Sequence, residues 1–109
     1  MSNIEMTSEV LELVAARFKA LAEPTRLRIL SALREGERTV SDLVEETGLG
    51  QANVSKHLQR LHDLRYVERR REGLYTVYSL ADEDVFALCD IVCGRLEREA
   101  EKGRALIGG

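Results

Sequence analysis

Leu49-Gly-Gln-Ala-Asn-Val-Ser-Lys-His-Leu-Gln-Arg-Leu61, followed a few residues later by Arg69-Arg-Arg-Glu-Gly-Leu-Tyr75, decides how this chain is read. The first stretch leaves a Gly-Leu-Gly break and then keeps its apolar residues to one side. Val54, Leu58 and Leu61 recur at spacings of four and three, the signature of one helical face. Ala52, Lys56, Gln59 and Arg60 fall roughly opposite, with Gln51 and Ser55 on a flank, over a helix expected from about Gln51 to Leu64. The second stretch belongs to two strands, Val67 to Arg71 and Leu74 to Leu80, the latter rich in the β-formers Tyr75, Thr76, Val77 and Tyr78. Glu72-Gly73 between them is expected to make the tight turn, with glycine supplying a positive φ.

Working outward, Thr39-Val-Ser-Asp42 matches a capping box. Val40, Leu43, Val44 and Thr47 predict a short helix behind it, ended by Gly48 in the left-handed conformation. Pro24, the only proline, suits the first turn of a helix carrying Leu27, Ile29, Leu30 and Leu33 and ending at Gly36. Before it, Thr7 or Ser8 can cap a first helix, with Glu9 and Glu12 complementing its dipole. Its stripe of Val10, Val14 and Phe18, widened by Leu11, Leu13 and Leu21, is broad enough for both the core and a partner subunit. After the strands, Asp82 can cap a last long helix, supported by Glu83 and Asp84, with Val85, Leu88, Cys89, Val92 and Leu96 on one face.

The predicted order is α-α-α-α-β-β-α: mainly α with a small β-hairpin. A short capped helix, a tight turn, a second helix and a basic two-stranded ribbon fit a winged helix-turn-helix. Residues 1–109 are expected to form a single DNA-binding domain, ordered over 7–102, with residues 103–109 as a frayed tail.

Composition agrees. The 109 residues are 44% hydrophobic and 32% charged, enough for one modest core that oligomerisation would complete. No apolar run approaches the roughly 18 residues of a membrane span. The first residues lack the basic and apolar regions of a secretory signal, so a cytoplasmic location is expected. The net charge of −3 is unevenly spread. Residues 1–50 hold 6 Lys/Arg against 9 Asp/Glu, residues 51–75 hold 6 against 3, and residues 76–109 hold 4 against 7. A basic middle between acidic ends can neutralise phosphates locally while the ends orient the approach.

Three segments carry a family resemblance. Phe18-Lys-Ala-Leu-Ala-Glu-Pro-Thr-Arg-Leu-Arg-Ile-Leu30, Gln51-Ala-Asn-Val-Ser-Lys-His-Leu58 and Arg70-Arg-Arg-Glu-Gly-Leu-Tyr-Thr-Val-Tyr-Ser-Leu80 resemble, in that order, the N-terminal, recognition-helix and wing signatures of the ArsR/SmtB family of winged-helix repressors. The resemblance spans roughly residues 10 to 100. It implies a homodimer sealed by the first and last helices, two recognition helices on a near-palindromic operator, and release by an inducer, often a metal ion, arsenite or an oxidising sulfur species. The inducer of this chain is not named by its sequence. The family's metal sites do not carry over: Val40 to Glu46 contain no cysteine or histidine, and no histidine follows His62. No metal or other cofactor is therefore assigned.

The candidate DNA-binding residues are Gln51, Asn53, Ser55, Lys56, Gln59 and Arg60 on the helix, and Arg70, Arg71 and Tyr75 on the wing. Gln51 and Gln59 can pair with adenine edges, and Lys56 can reach guanine or a phosphate. Ser55 and Arg60 are better suited to the phosphate backbone. Arg69, Arg70 and Arg71 alternate faces, so at most two project together and one can pair with Glu68 or Glu72. His57, at the edge of the apolar stripe, is expected to be a partly buried, hydrogen-bonded histidine. No nucleophile–base arrangement supports an enzyme. Cys89 and Cys93, at i and i+4, share a helical face. They are either small packing residues or thiols that sense a soft ion or an oxidant at the seam. Two alternatives stay open: a winged helix used for protein–protein contact, and a thiol-based soft-metal or redox binding protein using Cys89 and Cys93.

Overall fold

The computed structural model describes residues 4–107. Helix α1 (Ser8–Leu21) starts at Thr7, whose hydroxyl accepts the Val10 N–H at 3.2 Å. Helix α2 (Pro24–Glu35) places Pro24 in its first turn, and Glu23 is its cap: Oε2 accepts the Arg26 N–H at 3.0 Å. Strand β1 (Arg38–Thr39) leads into helix α3 (Val40–Thr47) through the expected capping box. Thr39 Oγ1 accepts from the Asp42 N–H at 3.1 Å, and Asp42 Oδ2 accepts from the Thr39 N–H at 2.9 Å. Those bonds, led by the Thr39 backbone N–H, hold the Asp42 carboxyl below its ordinary range. Gly48, at φ 74 and ψ 9, ends α3 in the left-handed conformation.

Helix α4 (Gln51–Asp63) follows the short Gly48-Leu49-Gly50 turn. Its exit departs from the expected pattern. The Arg65 N–H donates to the His62 carbonyl at 3.0 Å and the Tyr66 N–H to the Leu61 carbonyl at 2.9 Å, a Schellman closure. The left-handed residue in it is Arg65, at φ 65, where glycine is the common choice.

Strands β2 (Val67–Glu72) and β3 (Tyr75–Leu80) form the hairpin, and β1 joins the far edge of β3. The expected two-stranded ribbon is thus a three-stranded antiparallel sheet of order β1-β3-β2. The register pairs Arg69 with Tyr78, Glu72 with Tyr75, and Arg38 with Tyr78 from the other side. The turn also shifts by one residue from Glu72-Gly73. Glu72 still pairs, so the loop is Gly73-Leu74 and β3 starts at Tyr75 rather than Leu74. Gly73 has φ 62 while Leu74 keeps a negative φ, the pattern of a II′ hairpin.

Helix α5 (Asp84–Ile107) begins two residues beyond Asp82, whose Oδ1 accepts the Asp84 N–H at 3.0 Å. It continues to Ile107; residues 108 and 109 of the expected tail lie outside the described residues. No helix among the described residues is long and apolar enough to cross a membrane.

The core sits where α2, α3 and α4 meet the sheet. Ile29, Leu30, Leu43, Val54, Leu58 and Leu61 are fully buried there, sealed by Val67, Tyr78, Val85 and Phe86. The Cα radius of gyration is 17.1 Å. A compact chain of this length would have about 13 Å. The 24-residue α5 extends beyond the core and, with α1, leaves an open apolar face: Leu11 and Phe18 on α1 and Leu88, Ile91, Val92 and Leu96 on α5 are 41–68% exposed. An apolar groove of about 530 Å³ runs between these helices.

Candidate nucleic-acid interface

Burial of Val54, Leu58 and Leu61 fixes the rotation of α4, so its opposite side must face outward. Gln51, Ala52, Asn53, Ser55, Lys56, Gln59 and Arg60 are all exposed. The side chains of Gln51, Asn53, Ser55, Lys56 and Arg60 make no hydrogen bond or ion pair among the described residues. The N-terminal half of the helix is therefore an open array of amide, hydroxyl and ammonium groups. Gly50 stands at the N-cap and offers no capping side chain. The first N–H groups of α4 are left to solvent, at the end of the helix dipole that favours phosphate. The sequence signals this feature only through Gly50, a residue without a capping side chain at the cap position.

The C-terminal half of α4 is occupied instead. Gln59 Nε2 donates to Asp63 Oδ1 at 2.8 Å, and Gln59 Oε1 accepts from Arg69 Nη1 at 3.0 Å. Both ends of the amide expected to read adenine are engaged within the chain, and they tie the wing to the helix.

The wing arginines divide by pleat. Arg69 and Arg71 share the side of Val67, and Arg70 lies on the other side with Glu68 and Glu72. Arg70 is held as a strut: its guanidinium donates to both oxygens of Glu37 and, at 2.8 Å, to Glu72 Oε2. Glu37 comes from the loop between α2 and β1, so this fork anchors the wing to the body. The Arg70 hydrogen bond holds the Glu37 carboxyl below its ordinary range, and Glu37 raises Arg70 still further. Pairing with Glu72 was among the expectations for these arginines; Glu37, 33 positions away, had no signal in the sequence. Arg71 is exposed and makes no hydrogen bond or ion pair among the described residues; it pairs with Thr76, while the exposed Tyr75, opposite Glu72, lies on the Arg70 side and Leu74 at the tip is 87% exposed.

His57 is partly buried, as expected, and accepts a hydrogen bond from Arg26 Nε at its Nδ1, 3.1 Å away. Two of the three acids of α3 are engaged elsewhere, Asp42 in the capping box and Glu46 with Arg38 at 2.7 Å. Among the described residues no three His, Cys, Asp or Glu side chains converge to hold a metal ion. Cys89 is half-buried and Cys93 exposed, and both line the apolar groove beside Phe18 and Leu88.

Residues 23–69 match the family model described as bacterial regulatory protein, arsR family. The chain is 42% identical over 85 residues to the HTH-type transcriptional regulator NmtR of Mycobacterium tuberculosis, covering 78% of this chain and 71% of that protein. It is 47% identical over 68 residues to a probable mercury resistance operon repressor of Streptomyces lividans, covering 62% of this chain and about half, 54%, of that protein. Its fold matches the solution structure of a homodimeric winged helix-turn-helix DNA-binding domain, a possible ArsR-family regulator, from Mycobacterium bovis. The TM-score is 0.72 at 37% identity, over 86% of this chain and 90% of that one. Together with the exposed recognition helix and its wing, these similarities establish that the chain belongs to the ArsR/SmtB family of winged helix-turn-helix transcriptional regulators.

Proposed function

We propose that this protein is a transcriptional repressor that binds near-palindromic duplex DNA as a homodimer in the cytoplasm, acting by binding and not by catalysis. The observation that carries the reading is the unpartnered row Gln51, Asn53, Ser55, Lys56 and Arg60 on a helix rotated outward by its own buried stripe. In this reading Gln51 and Lys56 meet base edges in the major groove, while Ser55, Arg60 and the open first turn of α4 meet phosphates. Arg71 and Tyr75 extend the contact along the wing, with Gln59 and Arg70 holding the wing at its angle. The open face of α1 and α5 pairs two copies, so that two recognition helices stand about one DNA turn, roughly 34–36 Å, apart. Cys89 and Cys93 pack in that seam.

The test begins with selection of duplexes from a random library by the protein, followed by titration of the enriched duplex with salt. Binding should weaken steeply as salt rises. Lys56→Ala should weaken it further, and Arg60→Ala should reduce the slope of log affinity against log salt by about 0.9, one phosphate contact. No enriched duplex at low salt would instead favour a winged helix serving protein–protein contact. A Cys89→Ser, Cys93→Ser double variant should bind the duplex like the parent.

A further inference from the structure

A polar cluster at the elbow between α1 and α2 takes no part in the DNA-facing surface. Arg26 Nε donates to His57 on α4, and Arg26 Nη1 donates to the Ala20 carbonyl on α1 at 3.1 Å. Because His57 Nδ1 accepts, its proton sits on Nε2, which stands 4.0 Å from Glu23 Oε2. Burial works to raise the Glu23 carboxyl, but the Arg26 and Thr25 N–H groups outweigh it and hold it below its ordinary range. The carboxylate therefore stays charged beside the ring. A second guanidinium does a similar job at the far end of α4. Arg17, on α1, donates from Nη1 to the Leu64 carbonyl at 2.6 Å and lies 6.0 Å from the centre of the Tyr66 ring.

Helix α1 packs on α2 and has no broad contact along α4. Two guanidiniums bridge it to α4, Arg26 at the middle of the helix through His57 and Arg17 just past its C-terminal end through Leu64. The buried stripe sets the rotation of α4, and two attachments at separate points along it fix its direction relative to α1, which a single one would leave free. α1 also carries Leu11 and Phe18 of the open apolar face. Building on the DNA-binding reading above, we propose that Arg17 and the Arg26–His57 pair are positioning residues: they lock the recognition helix to α1, so that the spacing of the two recognition helices follows the arrangement of the α1/α5 seam. None of the three acts by touching DNA.

The experiment uses the full chain and a duplex of about 30 base pairs, long enough for two half-sites, enriched by the parent from a random library. Affinity, salt slope, sedimentation mass and thermal midpoint are measured for His57→Leu, Arg17→Gln, their combination, and His57→Gln. His57→Leu and Arg17→Gln should each bind about tenfold more weakly, as expected for a lost hydrogen bond to a charged group, and the combination more weakly still. The salt slope and the dimer mass should stay at parental values, because no phosphate contact is lost. His57→Gln, whose Oε1 can accept from Arg26, should stay within about threefold of the parent. Should His57→Leu fail to fold, Arg17→Gln and His57→Gln decide the matter. Parental affinity in folded variants overturns the proposal. So does an affinity loss with a slope reduced by about 0.9 per residue, which would make these side chains phosphate contacts. If the parent enriches no duplex, the DNA-binding reading falls and this proposal falls with it.

Discussion

Helices α4 and α5 carry apolar stripes of the same period, yet one is covered and the other is not. Val54, Leu58 and Leu61 are 0% exposed, while Ile91, Val92 and Leu96 on α5 are 58–68% exposed. Both stripes obey the same helical arithmetic, so periodicity identifies an apolar side without saying which molecule covers it. In α4 the covering comes from α2, α3 and the sheet. Among the described residues, α5 reaches the chain's own core through its first turn, at Val85 and Phe86. The rest of the stripe lies open, as an interface does before its partner arrives.

The same truncation on each stripe would test this contrast. Leu58→Ala should cost about 3 kcal/mol of folding stability, read by urea unfolding, because it leaves a cavity in a close-packed core. Its effect should not depend on protein concentration. Ile91→Ala should instead weaken self-association by about 2 kcal/mol, roughly thirtyfold, read by sedimentation equilibrium. Equal, concentration-independent losses from both variants would show that the α5 stripe is covered within one chain.

Acid should act on the covered body before it acts on either stripe. Glu23, Glu37 and Asp42 all have carboxyls held below their ordinary values. A depressed carboxyl stabilises the fold fully above its unfolded pKa, about 4, and loses that contribution as pH falls through the lower folded value. Unfolding stability followed from pH 6 downward should therefore hold level to about pH 4 and then decline. Asp42→Asn should flatten that decline, since the capping box would no longer titrate. The smallest effect is expected at the exit of α4. Arg65→Gly should raise the thermal midpoint slightly, by relieving about 0.5 kcal/mol of left-handed strain net of glycine's flexibility.

The elements with long periodic patterns or strong caps could be read from the chain. Thr39 to Asp42, Pro24, Gly48 and the stripe of α4 all depend on residues within four positions of one another. What escaped depends on distance or on shortness. Strand β1 has two residues, too few to alternate, and exists because β3 has a free edge. Arg65 takes the left-handed position because Tyr66 and Leu61 close the helix end around it, whatever the intrinsic cost. In the candidate site, exposure on α4 followed from its stripe, but the engagement of Gln59 by Arg69 and of Arg70 by Glu37 did not. Those pairs join segments that meet only after the sheet forms.

The uncovered stripe on α5 makes abundance a control variable. When two copies must meet before either is complete, the completed form rises with the square of chain concentration while chains are scarce. It becomes proportional to concentration once they are plentiful. A modest change in synthesis or turnover is thereby amplified at low dosage, and the steepness of the response is set by how tightly the stripe closes.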